Sequence, residues 1–180
     1  NAPIHSANAS GGAGPSIPAG KCLNITVLGA GAWGSALSSL AKLNHHNITV
    51  WSRRLGNPLA DAIANADVIL SAISMKGVAH IAEQLQTIGL PKHTILVTAT
   101  KGLDPKTTRT PSQIYAAAFP NHPVVVLSGP NLSKEIDKGL PGATVLASTD
   151  QLAAETMQQV FASEQFRAYT SADPLGAEFG

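Results

Sequence analysis

The sequence predicts an α/β domain with a doubly wound, mostly parallel sheet. Three observations predict it. Apolar runs of strand length alternate with amphipathic runs of helix length from residue 24 onward. The first strand run, residues 25–28, ends in Gly29-Ala30-Gly31-Ala32-Trp33-Gly34 and leads into a helical stretch. A second apolar run, residues 48–51, follows within the length of one β–α–β unit.

Each glycine of the turn has a physical role. Gly29 lets the chain leave the strand sharply, and Gly31 removes a side chain where a pyrophosphate approaches the backbone. Gly34 lets the helix pack close to the sheet. The helix N-terminus then offers free N–H groups and a partial positive charge to phosphate. The reading is a dinucleotide on this turn, with backbone contacts at Ala32 and Trp33. A glycine-rich turn that binds nothing explains the glycines alone; the strand before and the helix after favour binding.

The helix is expected over residues 32–44, with Leu37, Leu40 and Ala41 on the sheet. Small residues Ser35, Ala36, Ser38 and Ser39 suit a close approach. His45-His46 ends it as a solvated helix end, since no third metal ligand is in view. The second strand closes on Trp51-Ser52-Arg53-Arg54. A unit selective for NAD places an acidic residue there to bond the ribose 2′-OH. A hydroxyl and two guanidinium groups instead favour a phosphate, so NADP(H) is the preferred cofactor and NAD(H) the second. The bland alternative is a pair of solvated arginines at a strand end.

Residues 57–66 hold one short helical face (Leu59, Ala62, Ile63) before the strand run 68–73, so a full strand–helix pair is reduced here. Residues 75–88 form a helix with Val78, Ile81, Ala82, Leu85 and Ile88 inward. Lys76-Gly77 at its start is either a cofactor contact or an exposed helix start. The run 93–100 is a strand, and Lys101-Gly102 follows at the edge where open α/β sheets bind ligands. Lys101 is thus either a cation facing an anionic ligand or a solvated loop lysine. A polar loop, 104–111, leads to a helix over 112–118 and a strand over 123–127. The turn Ser128-Gly129-Pro130-Asn131 lies at the same edge, and 132–138 is a helical turn. A strand over 143–148, a helix from Asp150 to Phe161 with Leu152, Ala153, Met157, Val160 and Phe161 inward, and a strand over 166–169 complete the pattern. Asp173-Pro174 starts one more helix.

Composition sets the bounds. With 180 residues and 44% hydrophobic content the chain can bury one core. Residues 1–22 read as a disordered leader or linker and 23–180 as the dinucleotide-binding domain. A net charge of +1 and 4% aromatics argue against nucleic acid as a partner. No apolar run reaches bilayer length, so no membrane partner is expected. The single cysteine, Cys22, excludes an internal disulfide and a cysteine metal cluster, and fits a cytoplasmic location. The sequons at Asn8, Asn24, Asn47 and Asn131 are then chance matches. The chain has no initiator Met and stops at Gly180, so a piece of a longer protein is expected.

The motifs GAGAWG, WSRR, TKGL and SGPNLSKEI, in this order and spacing, resemble the NAD(P)-dependent glycerol-3-phosphate dehydrogenases, in the short bacterial form and particularly the cyanobacterial type. The resemblance runs from about Asn24 to Gly180 and implies a Rossmann-like fold. It implies interconversion of dihydroxyacetone phosphate and sn-glycerol 3-phosphate for glycerophospholipid synthesis, and is compatible with a homodimer of the full-length protein. By resemblance, Trp33, Arg53, Arg54, Lys101 and Ser133 match cofactor positions, and Lys101, Gly129 and Asn131 match substrate positions. Lys101 is the catalytic candidate, in an electrostatic supporting role. Many members carry Ser where Asn131 stands and Ala where Ser133 stands. Ala32 replaces a Ser or Asn, so a backbone contact is what it retains. In the family, the sequence around Gly176, Glu178 and Gly180 (with Phe179 in place of Leu) runs on into a helix bearing the proton-accepting lysine. A helical substrate domain follows there, and both are absent from this chain. The alternatives are a catalytically incomplete nucleotide-binding fragment and a related reductase acting on another small substrate.

Overall fold

The computed structural model describes residues 20–129, 136 and 138–179. The element order is β1 Asn24–Leu28, α1 Ala32–Leu43, β2 Asn47–Trp51, a 3₁₀ turn Arg53–Leu55, α2 Leu59–Ile63, β3 Val68–Ser71 and α3 Met75–Ile88. Then come β4 Ile95–Thr98, α4 Pro111–Ala118, β5 Val124–Ser128, β6 Gly142–Ala147, α5 Gln151–Phe161, β7 Phe166–Ser171 and α6 Pro174–Phe179.

These strands form one sheet in the order β2-β1-β3-β4-β5-β6-β7. The first five run parallel, β6 is antiparallel to β5, and β7 is parallel to β6. Successive side chains on a strand point to opposite faces. Both faces are covered, so the inner strands are apolar throughout. Val27, Val97, Val125 and Leu127 meet Leu37 of α1 and Met157 and Phe161 of α5 on one face. Leu28, Ile69 and Leu96 meet Ile63, Val78, Leu85 and Tyr115 on the other. Full burial of such side chains is worth roughly 1.5–3 kcal/mol each.

Local signals set several boundaries. Thr110 and Gln113 close a capping box over α4 with Pro111 at its first position. Asp150 Oδ1 accepts the Ala153 N–H at 3.0 Å and caps α5. Asp67 joins three strand starts: its Oδ2 accepts the Asn24 N–H and its Oδ1 lies 2.8 Å from His93 Nε2.

The fold departs from the pattern reading in a few places. Leu152 is 52% exposed and Ile88 is 41% exposed, because each stands at the margin of its helix's apolar face. Ser35 and Ser39 lie on the outer face of α1, with the Ser39 hydroxyl donating to the Ser35 carbonyl. Ala36 and Ser38 are the small residues that meet the sheet. Helix α1 stops at Leu43 with Asn44 as its cap. The run 68–73 shortens to Val68–Ser71, since the chain turns over the end of β1 at Ala72. The run 93–100 shortens to Ile95–Thr98. His46 is no free helix end: its Nδ1 accepts the Leu23 N–H at 3.0 Å. The helical turn expected over 132–138 and residues 1–19 of the leader lie outside the described residues.

Candidate functional site

The chain leaves β1 toward β2 on one side and returns through α2 to β3 on the other. That reversal opens a crevice at the C-terminal ends of β1 and β3, where open α/β sheets bind ligands.

Gly29 forms the crevice floor. Its φ is +112°, and a Cβ there would lie 2.6 Å from the Ala72 carbonyl oxygen. The Gly29 N–H donates to the Trp51 carbonyl at 2.8 Å, tying the turn to β2. Gly34 lets α1 settle on the sheet: a Cβ would sit 3.0 Å from the Gly29 carbonyl oxygen. Gly31 differs from both, because among the described residues nothing lies within 4 Å of a Cβ built on it. Its value is the open approach to the backbone.

Gly31 is also the cap of α1, with no side-chain cap and no acidic residue in the first turn. The Ser35 N–H makes the first intrahelical bond, to the Gly31 carbonyl. The N–H groups of the residues before it therefore lack helical partners. An anion would supply them and meet the positive end of the helix dipole. Ala32 is exposed and Trp33 is half-buried against the α1 face of the core.

The end of β2 supplies cations. Arg53 and Arg54 are exposed on the 3₁₀ turn, which Gly56 closes at φ +69°. The Trp51 indole N–H donates to the Asn57 carbonyl at 2.8 Å and staples the turn to β2. Among the described residues neither arginine has a carboxylate within 4.0 Å; the ion pair found is His93–Asp67. The buried Ser52 hydroxyl and Asn57 Oδ1 have no hydrogen-bond partner among the described residues.

Lys101 reaches the same edge from β4. The Thr100 hydroxyl donates to the Ile73 carbonyl at 2.6 Å, and the Ile73 side chain would stand 3.5 Å from a Gly29 Cβ. The loop carrying Lys101 is thus fastened to the segment that roofs the glycine turn. Gly102 follows at φ +121° against Met75. Lys76 at the start of α3 is exposed.

Gly129 ends β5 in a tight approach, where a Cβ would lie 3.0 Å from the Ala143 carbonyl oxygen. Its structural demand is close packing of β6. Asn131 and Ser133 lie outside the described residues.

A groove of about 720 Å³ among the described residues lies at the opposite edge between α4, α5 and the start of α6. Ile95, Phe119, Val124 and Leu175 line it, far along the strands from Gly29 and Arg53. Among the described residues no three His, Cys, Asp or Glu side chains could hold a metal ion.

The glycine turn, the uncapped helix and the arginine turn fit a dinucleotide. Open space at Gly31 and an unpartnered hydroxyl at Ser52 are the structural signs of that fit. The family described as NAD-dependent glycerol-3-phosphate dehydrogenase N-terminus matches residues 24–57 and 54–154. The chain belongs to this family.

Relatives of the glycerol-3-phosphate dehydrogenase family agree. The chain is 60% identical over 156 residues to the protein named glycerol-3-phosphate dehydrogenase [NAD(P)+] from Acaryochloris marina, covering 87% of this chain and 50% of that one. It is 58% identical to the protein of that name from Synechocystis, covering 87% of this chain and 49% of the relative. The solved glycerol-3-phosphate dehydrogenase of Coxiella burnetii shares the fold, with a TM-score of 0.81 at 22% identity over 87% of this chain and 56% of that one. The chain spans about half the length of the curated relatives it matches.

The structure brings the sequence-derived candidates Gly29, Gly31, Ala32, Trp33, Gly34, Arg53, Arg54 and Lys101 to the C-terminal edge of the sheet; the sequence had less to say of what surrounds them. It carried no signal for Ala72 and Ile73 as roof of the turn, or for the Asn57 staple. Those contacts join residues from separate strands or loops.

Proposed function

We propose that this chain is the dinucleotide-binding half of an NAD(P)-dependent glycerol-3-phosphate dehydrogenase, which interconverts dihydroxyacetone phosphate and sn-glycerol 3-phosphate. The observation that carries the proposal is the meeting of Gly29, Gly31, the uncapped α1 and the arginine turn at one crevice, in a chain of this family. When bound, the nicotinamide supplies or accepts the hydride.

The chain's residues bind and orient. Gly31, Ala32, Trp33 and Gly34 present backbone to the pyrophosphate, and Arg53 and Arg54 grip a 2′-phosphate. NADP(H) is preferred on that account, with NAD(H) accepted. Lys101 faces the substrate carbonyl and phosphate, where a cation opposes the negative charge that develops on the ketone oxygen during reduction. Gly129, Asn131 and Ser133 complete the substrate and cofactor contacts. The principal proton donor belongs to a helical substrate-binding half of the kind the family carries. The reading includes a cytoplasmic role in glycerophospholipid synthesis and a homodimer of the longer protein. Among the described residues no helix is long and apolar enough to cross a membrane.

Titration with NADPH and NADH, then an assay with dihydroxyacetone phosphate, tests the proposal. The 180-residue chain is expected to bind NADPH more tightly than NADH and to show no turnover. Absence of binding to either cofactor would refute it. Turnover by the chain alone would refute the need for a second half. A second reading, a related reductase of the same fold acting on another small substrate, follows from how many functions one fold can host. Activity of the complete gene product separates the two.

A further inference from the structure

Tyr115 is buried in an apolar layer with Leu28, Ile69 and Leu96, yet it carries a hydroxyl. That hydroxyl meets the Ser71 hydroxyl at 2.7 Å, and Ser71, the last residue of β3, is buried as well. A phenylalanine facing an alanine would fill the layer without taking two hydroxyls out of water. A buried pair of this kind adds little net stability, but when satisfied it fixes one arrangement of the groups that carry it. What it fixes here is the roof of the glycine turn. Ala72 follows Ser71, and its carbonyl oxygen is the atom that a Gly29 Cβ would meet. Segment 71–73 is held at every residue. Tyr115 holds the Ser71 hydroxyl, the Leu28 carbonyl accepts the Ala72 N–H at 2.9 Å, and the Thr100 hydroxyl donates to the Ile73 carbonyl at 2.6 Å. The helix that carries Tyr115 is anchored in turn. The Thr110–Gln113 capping box and the Glu178–Ser112 bond hold the first turn of α4, and Tyr115 lies on the turn after it.

We propose that Tyr115 is a positioning residue for the dinucleotide: through Ser71 it sets where the roof stands over the Gly29 turn. The proposal rests on the dinucleotide reading above. Tyr115 acts through another residue and lies too deep to reach a ligand itself. A binding geometry serves only when its supports hold it within about 0.5 Å. The Ala72 carbonyl stands against the Gly29 backbone, so a shift of the roof shifts the turn and the N–H groups that α1 offers beyond it. Losing the Tyr115 bond releases Ser71, and with it one side of the roof. The turn serves the pyrophosphate that both cofactors carry. The effect therefore falls on NADPH and NADH alike, unlike that of Arg53 and Arg54.

The test measures Kd for NADPH and NADH by calorimetry, well below the melting transition, and the melting temperature of the free chain. It compares wild type, Tyr115→Phe, Ser71→Ala and the double variant. Each single change is expected to weaken both cofactors about fivefold, the size of one hydrogen bond, with the NADPH-to-NADH ratio unmoved. Each should also lower the melting temperature, because the remaining hydroxyl is buried without its partner. The double variant should regain most of the melting temperature, since both hydroxyls are gone, while its affinities stay about fivefold weak. A merely stabilising pair would not give that split. Unchanged affinities in the single variants overturn the proposal, and so does a loss confined to NADPH. A double variant that recovers affinity and melting temperature together also overturns it, because the loss then follows the unpaired hydroxyl and not the missing bond. Should a single variant fail to fold, the double variant decides: weak binding at a wild-type melting temperature supports the proposal, and wild-type binding refutes it. If wild type binds neither cofactor, the dinucleotide reading fails first and this one with it; wild-type binding with unmoved affinities in the variants sinks Tyr115 alone.

Discussion

A Cβ atom on Gly29 would lie 2.6 Å from the carbonyl oxygen of Ala72, closer than a real Cβ approaches any backbone atom. The first residue past β3 therefore decides what can stand at the end of β1. A Cβ on Gly31, two residues on, would meet nothing within 4 Å among the described residues. The two glycines thus separate folding from binding. Gly29→Ala should cost about 3 kcal/mol or more, from the left-handed backbone and the clash together. Gly31→Ala should cost at most about 1 kcal/mol, the difference between Gly and Ala at a helix cap. It should nonetheless weaken NADPH by at least about tenfold, by placing a methyl where the pyrophosphate approaches. Urea denaturation and calorimetric titration of both variants check this. Equal stability losses would contradict the distinction.

Arg53 and Arg54 stand exposed without a carboxylate within 4.0 Å among the described residues, so their charge is available to a ligand. Replacing either by Ala should weaken NADPH by about tenfold, as expected for a charge-assisted hydrogen bond, with NADH nearly unaffected. The NADPH difference should shrink as salt rises, because exposed charges are screened. Parallel losses for both cofactors would remove the selectivity role.

Two groups give the chain opposite pH limits. Burial pushes the Tyr115 phenol up to about 12 from 10.0, against a lowering by its 2.7 Å bond with Ser71. A phenol kept neutral in the fold contributes stability that is complete below pH 10.0 and is lost as pH rises toward about 12. Tyr115→Phe should flatten that alkaline decline. Burial, then the charge of His45, holds the His46 imidazole below its usual 6.5. Its neutral Nδ1 accepts the Leu23 N–H. The folded state therefore takes up the proton later than the unfolded state. The stabilisation is present above pH 6.5 and lost as pH falls through the lowered value. Wild type should hold an advantage over His46→Gln at neutral pH that narrows on acidification. Denaturant midpoints across the pH range measure both limbs; a gap independent of pH would contradict the assignment.

Glu178 Oε1 accepts the Ser112 N–H at 2.8 Å across 66 residues, fastening α6 to the first turn of α4. A carboxylate there also complements the α4 dipole. Glu178→Ala should cost about 1–2 kcal/mol, and Glu178→Gln less than half of that, because the amide oxygen still accepts. Chemical denaturation of the two variants checks the ordering.

The fold was legible where local rules act. The amphipathic spacing of Val78, Ile81, Ala82 and Leu85 placed α3 at Met75–Ile88, and Asp150 marked the start of α5. The Gly29–Gly34 turn announced its strand and helix because backbone freedom and close approach are encoded by which residues lack a side chain. Leu152 misled, since helical spacing alone does not say where an apolar face ends. At Gly129 the close approach of the Ala143 carbonyl adds a packing demand for glycine that the sequence did not announce.

The sequence by itself determined the α/β class, the glycine turn, and the cationic end of β2 at Arg53 and Arg54, because each depends on residues adjacent in the chain. Tertiary structure alone decided that Ala72 and Ile73 roof the turn, that Thr100 fastens the Lys101 loop to it, and that the Ser52 hydroxyl is unpaired among the described residues. Those outcomes depend on strand order, which brings β1, β3 and β4 together at one edge through contacts that no local spacing encodes.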